Sequence, residues 1–244
     1  MSNAAGDTQS VLAASALASI RMIGAHYGLW FAEAAGRFGL EKALAAEGEA
    51  GDITSNIALK RLGFQENPFS SWDRTQLETL LDTLGKIWLA MDGVWFQAVE
   101  KLGGMDGAKQ VNDACWSRFA PLEALHVKAL LGLPEQGGLD ALEAALAHRL
   151  HSRISDVAFS REAEDGREGE GALVLHVRGC RVQAARLRKG LEAYPCKSAG
   201  MVEYGHFARS IDPRLATQCL ACPPDPLPEG TFCSWRFRLE EQPC

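Results

Sequence analysis

The chain of 244 residues is 47% hydrophobic and 23% charged, the balance of a soluble globular protein long enough to bury a substantial core. A formal net charge of −6 at pH 7 argues against a nucleic-acid binder, which needs a basic face to collect phosphates. The most apolar early run, residues 11–20, is closed by Arg21 well short of the roughly 20 residues of a membrane span, and it lacks the basic start and cleavage site of a signal peptide.

Within residues 8–47, the apolar positions Leu12, Ala16, Ile20, Ile23 and Tyr27 recur at close to helical spacing, which predicts helix. Phe38-Gly39-Leu40 marks a turn, and a short second helix is expected to end near Gly48. The segment from Tyr27 to Ala34 is echoed 65 residues later by Asp92 to Val99, and Gly39 and Leu40 match Gly104 and Met105. Leu62-Gly63-Phe64 then matches Leu131-Gly132-Leu133 after four extra residues in the second copy. Two related helical units are therefore expected, with Gly28 and Gly93 allowing close helix approach. Asp73 is a good cap for a helix opening at Arg74, and Leu139 to Leu150 reads as an amphipathic helix.

The pattern changes near residue 152. Residues 154–159 and 172–177 are strand-like, and the acidic stretch between them reads as a solvated hairpin tip. A helix is expected from Arg181 to Lys189, and a second from Pro195 to just before Asp212. A closing hairpin is expected from residues 215–222 and 231–239. The expected fold is α+β: a duplicated helical domain over residues 1–150, then an antiparallel β-β-α-α-β-β unit over residues 151–244.

Five of the seven cysteines fall between Cys180 and Cys233. An odd number of cysteines with a single CxxC pair fits a reducing cytoplasm better than a disulfide framework. Cys219 and Cys222 are half of a metal site, with tetrahedral zinc the default occupant and an iron–sulfur cluster the alternative. Cys180 and Cys196 each precede a predicted helix, whose N-terminus favours thiolate, and would complete the set. Cys233 is the substitute donor, although it shares a strand face with Trp235 and Phe237 that reads as core. Two other readings stay open. One is a reactive thiol at Cys196, beside Lys197; the other is simple core packing. His206 lies ten residues along the same predicted helix, roughly 15 Å from Cys196, too far to act as its base. Arg181 and Lys197 belong to a basic cluster able to hold an anion, with a solvated face paired to Glu192 and Glu203 as the plainer account. Asn112 and Trp116 suggest that the second helical unit faces a polar cavity.

The segments GVWFQAVE, NDACWSRF, CRVQAARLRKGL, YPCKSAG, FARSIDPR, CLACPPD and FCSWRF resemble a family of uncharacterised prokaryotic cytosolic proteins over most of the chain. The C-terminal part is more distantly similar to the L-2-amino-thiazoline-4-carboxylic acid hydrolase-like family and to 4-vinyl reductase domains. Cys219 and Cys233-Ser234-Trp235-Arg236-Phe237 match their layout. That similarity implies an α+β small-molecule-binding fold. The leading expectation is a cytoplasmic protein that binds a metal ion or small molecule, with zinc on Cys180, Cys196, Cys219 and Cys222 and small-molecule contacts from Arg181, Lys197 and Trp116. A hydrolase of a small cyclic amide or thiazoline with Cys196 as nucleophile is the enzyme alternative. A structural or interaction protein with inert cysteines is the third, and a homo-oligomer is left open.

Overall fold

The computed structural model describes residues 4–163 and 171–240. The chain forms two compact units, Met1–Pro68 and Phe69–Cys244. Among the described residues no helix is long and apolar enough to cross a membrane.

The first unit is a helical hairpin of α1 (Ala4–Phe38) and α2 (Leu40–Arg61). Its corner is Gly39, at φ 85° and ψ 159°, a conformation that only glycine adopts readily. The reversal brings the Tyr27 hydroxyl to donate to Glu47 Oε1 at 2.8 Å. The second helix runs on to Arg61 and does not stop near Gly48. A single glycine costs a helix only about 1 kcal/mol, too little to end one flanked by good helix formers. Taken by itself this unit exposes Leu12, Leu17, Ile20, Ile23 and Trp30.

The second unit opens with α3 (Arg74–Leu131). Asp73 accepts from the Gln76 backbone N–H at 2.9 Å, and the Gln76 side chain accepts from the Asp73 N–H at 3.0 Å, a reciprocal cap readable from sequence. This helix also turns back on itself. Gly104 has φ 70° and ψ −177°, nearly the conformation of its repeat partner Gly39. The Trp88 and Trp116 rings, which a straight helix would hold about 42 Å apart, meet with centroids 6.1 Å apart. Gly132 at φ 61° ends the hairpin, as Gly63 at φ 89° follows the end of α2. The repeat is therefore one of backbone geometry at its corners. Gly28 and Gly93 do not serve close helix approach, since a Cβ at either would meet nothing within 4 Å.

After α4 (Gly138–His148) and α5 (Leu150–Ile154) come β1 (Asp156–Glu162), β2 (Ala172–Gly179), α6 (Arg181–Arg188), α7 (Lys197–Ile211), β3 (Leu215–Ala221) and β4 (Cys233–Leu239). The four strands form one antiparallel sheet in the order β1-β2-β4-β3. The acidic hairpin tip expected between β1 and β2 lies largely outside the described residues. The fold is α+β: helices first, then the antiparallel β-β-α-α-β-β arrangement. On β2 and β4 the paired residues Leu173/Phe237 and Leu175/Trp235 turn one face into the core by strand alternation. Phe207, Ala208 and Ile211 of α7 and Leu142, Ala145 and Leu146 of α4 belong to the same core. Gly200 of α7 lets the helix lie directly on the Trp235 ring. That close approach fixes one wall of the site.

Candidate functional site

A cavity of about 500 Å³ opens inside the second unit between α3, α6, α7 and the sheet. Trp88, Phe96, Trp116, Tyr194, Tyr204 and Trp235 form much of its lining. Asp92, Asn112, His151 and Glu203 supply polar groups, and Cys180, Cys196, Cys222 and Cys233 supply sulfur. Lys86, Arg181, Arg188 and Lys189, all exposed, and the half-buried Arg186 line its basic side.

Cys196 occupies the cap position of α7. Gln183 of α6 is buried and its amide is clamped. Its Oε1 accepts from the Tyr194 N–H at 3.0 Å and its Nε2 donates to the Tyr194 carbonyl at 2.8 Å. The acceptor side of the amide is thereby assigned, so the amide NH₂ must face Cys196 Sγ, 3.0 Å away. Cys222 neighbours the same sulfur. Lys109, held by the Pro195 carbonyl at 2.6 Å and Ser198 Oγ at 2.9 Å, adds positive charge nearby. The Cys222 hydrogen bond is the foremost cause holding the Cys196 thiol below its ordinary pKa, ahead of Gln183 and against burial. Cys222 is correspondingly pushed far up by its hydrogen bonds to Cys196 and Cys233.

Cys180 corrects the expectation from local sequence. It precedes α6, but burial drives its pKa up to about 11, outweighing the backbone N–H groups at the helix start. Cys219 is half-buried on β3, opposite Trp235 and in contact with Cys222, and does not line the cavity. Cys233 meets Cys222 and faces the cavity. Trp116 and Arg181 both line the cavity. Arg181 also donates through Nε to the Ile154 carbonyl at 2.7 Å. Lys197 turns elsewhere: its Nζ pairs with Asp225 at 2.6 Å, holding the loop after Cys222 against the start of α7. His206 is exposed on an unbroken α7 and gives Cys196 no base.

Zinc needs four donors at about 2.0–2.3 Å from one point. Among the described residues no group of three or more His, Cys, Asp or Glu is arranged to hold a metal ion. A zinc or iron–sulfur assignment thus rests on sequence spacing alone.

A family model described as a family of unknown function, DUF6125, matches residues 70–239. The chain belongs to that family. No curated protein and no solved structure matches the chain, so the likeness to the thiazoline hydrolase and 4-vinyl reductase groups gains no support from either comparison. The DUF6125 span coincides closely with the second unit and contains the whole cavity.

Sequence reasoning missed the charged centre of the DUF6125 span. Arg149 is almost fully buried, with its guanidinium 2.7 Å from Glu123 and 2.8 Å from Glu203 and stacked 4.7 Å above the Phe207 ring. Glu203 is therefore engaged by Arg149, and not by the basic cluster of α6 to which sequence had assigned it. Burial still raises the Glu203 pKa, against the pull of Arg149. His151 also lines the cavity, and burial followed by Arg149 holds it down to about 4. It is a neutral imidazole at physiological pH.

Proposed function

We propose that the DUF6125 cavity binds a small, largely apolar molecule carrying an anionic group. The observation that carries the reading is the division of the lining: aromatic rings inside, and cationic Lys86, Arg181, Arg186, Arg188 and Lys189 on the side facing solvent. A pocket of this size with a few convergent polar groups is the ordinary form of a small-molecule site. The buried Trp235 Nε1–H, which has no hydrogen-bond partner among the described residues, is a donor that a ligand oxygen would satisfy. Burial of about 250 Å² of apolar ligand surface supplies roughly 6 kcal/mol before the costs of association. Exposed cations each add less than about 1 kcal/mol and lose it in salt. Apolar burial sets affinity here, and charge sets orientation.

The test uses 8-anilinonaphthalene-1-sulfonate, an aromatic anion whose fluorescence rises in apolar surroundings. Saturable binding at one site is expected, weakened several-fold by Arg188→Glu or by raised salt and abolished by Ala185→Phe, which fills the cavity. Binding unchanged in Ala185→Phe, with the fold intact by near-UV circular dichroism, would refute the reading.

A further inference from the structure

We propose that Cys196 and Cys222 are a dithiol redox pair that exchanges with a small organic disulfide admitted to this cavity. The inference rests on the cavity being a ligand site, and it adds a covalent step to that reading.

Three features of the pair carry it. First, the Cys196 sulfur accepts from the Gln183 amide at 3.0 Å, with Cys222 as its neighbour in the same cavity wall. The amide cannot turn away, because both of its atoms are committed to the Tyr194 backbone. A buried glutamine clamped to direct N–H at sulfur stabilises a thiolate more than a thiol, whose sulfur is only a weak acceptor. Second, the two cysteines are neighbours on the cavity wall, and their backbones are pinned just beyond them. The Lys197 N–H donates to the Pro223 carbonyl at 3.0 Å, one residue after each cysteine. The Lys197–Asp225 pair at 2.6 Å closes the same junction. That backbone contact, one residue beyond each cysteine, holds the two segments together as a disulfide forms between them. Third, both sulfurs face the cavity, with Cys222 the more buried. An incoming disulfide therefore meets Cys196 first.

The step balances without any further reagent. The Cys196 thiolate attacks one sulfur of R–S–S–R, forming the mixed disulfide Cys196–S–S–R and expelling R–S⁻. That leaving thiolate takes the proton of the Cys222 thiol and departs as R–SH. The Cys222 thiolate then attacks the Cys196 sulfur, forming Cys196–S–S–Cys222 and expelling a second R–S⁻. The protein dithiol is oxidised by two electrons and the substrate disulfide is reduced to two thiols. Exchange with a small thiol, run in reverse, restores the starting state.

The probe is 5,5′-dithiobis(2-nitrobenzoate), an aromatic dianionic disulfide, applied to the full chain with Cys115→Ser and Cys244→Ser to reduce the background from other thiols. Expected is a fast phase releasing two coloured thiolates per chain, no retained label, and a Cys196–Cys222 disulfide in the acid-quenched digest. Cys222→Ser should stop at one thiolate with the label held on Cys196. Cys196→Ser should slow the fast phase by about a hundredfold or more, towards the rate of buried, unactivated thiols. A fast phase that survives Cys196→Ser overturns the proposal, as does a mapped Cys222–Cys233 disulfide in the unsubstituted site. Absence of the fast phase while anilinonaphthalene sulfonate still binds overturns the redox pair and leaves the ligand site standing. Loss of both overturns both.

Discussion

Gly200→Ala puts the wall of the cavity to a direct test, because two effects of known size oppose each other there. An alanine Cβ at this position would lie 2.6 Å from Trp235 Cη2, closer still to Cζ2, and 3.3 Å from Cε2. Trp235 cannot swing clear: it is fully buried and its ring packs on Tyr204 with centroids 5.0 Å apart. Glycine to alanine inside a helix ordinarily gains about 0.5–1 kcal/mol. Overpacking a filled core costs about 1–3 kcal/mol. An overlap below 3 Å against a fixed ring puts the cost in the upper part of that range, about 2–3 kcal/mol, for a net loss of about 1–2.5 kcal/mol, or roughly 2–10 °C in melting temperature for a unit of this size. Gly205 supplies the control on the same helix, since a Cβ there meets nothing within 4 Å. Gly205→Ala should gain about 0.5–1 kcal/mol. Thermal melts of both variants, followed by circular dichroism, decide the matter. Should Gly200→Ala melt at or above the parent, α7 does not lie on the Trp235 ring and the described wall is wrong.

Arg149→Met leaves Glu123 and Glu203 buried without their cation and should cost about 3–5 kcal/mol by denaturant titration. Adding Glu123→Gln and Glu203→Gln should recover most of that loss, and a neutral Arg149→Met would show the network to be solvated. His151 titrates near 4 in the fold, against about 6.5 in the unfolded chain. Between those values the unfolded chain binds a proton that the folded chain refuses, so stability falls as pH drops through the window. The loss of melting temperature from about pH 7 to about pH 5 should be smaller in His151→Gln than in the parent; equal losses would mean the imidazole is solvated.

What could be read from sequence was local or periodic. The start of α3 follows from Asp73 and Gln76, three residues apart and each satisfying the other's backbone donor. The corners at Gly39 and Gly104 follow from a glycine recurring at one place in a repeat. The core face of β4 follows from Trp235 and Phe237 at alternate positions. What escaped depends on partners brought together by the fold. Nothing near Arg149 marks it as buried, and its carboxylates stand at Glu123 and Glu203. Lys197 looks like an anion contact until Asp225 arrives beside it. Cys180 and Cys196 share a local signature, a thiol at a helix start, yet their pKa values move in opposite directions. The difference lies in Cys222 and the Gln183 side-chain amide, which serve the Cys196 sulfur, whereas Cys180 has only backbone N–H groups that burial outweighs. Gln183 stands three residues after Cys180 in a basic helix, with no sequence signal that its amide would be spent on Tyr194 and Cys196.

The repeat bears on where the cavity lies within the chain. The two hairpins share a corner glycine conformation, but the positions flanking the corner have diverged. In the first, Tyr27 and Glu47 close on each other through a hydrogen bond. The matching positions 65 residues on are Asp92 and Asn112, and both line the cavity. Asn112 donates to the Tyr194 hydroxyl at 3.3 Å, and Tyr194 packs its ring edge-on to Phe96. A polar pair that is self-satisfied in one copy is thus replaced by groups directed at the segment carrying Cys196. Divergence of this kind puts polar side chains where a cavity can use them without altering the backbone that holds them. The DUF6125 match over residues 70–239 takes in every cavity residue, so the cavity belongs to the second hairpin and the sheet behind it.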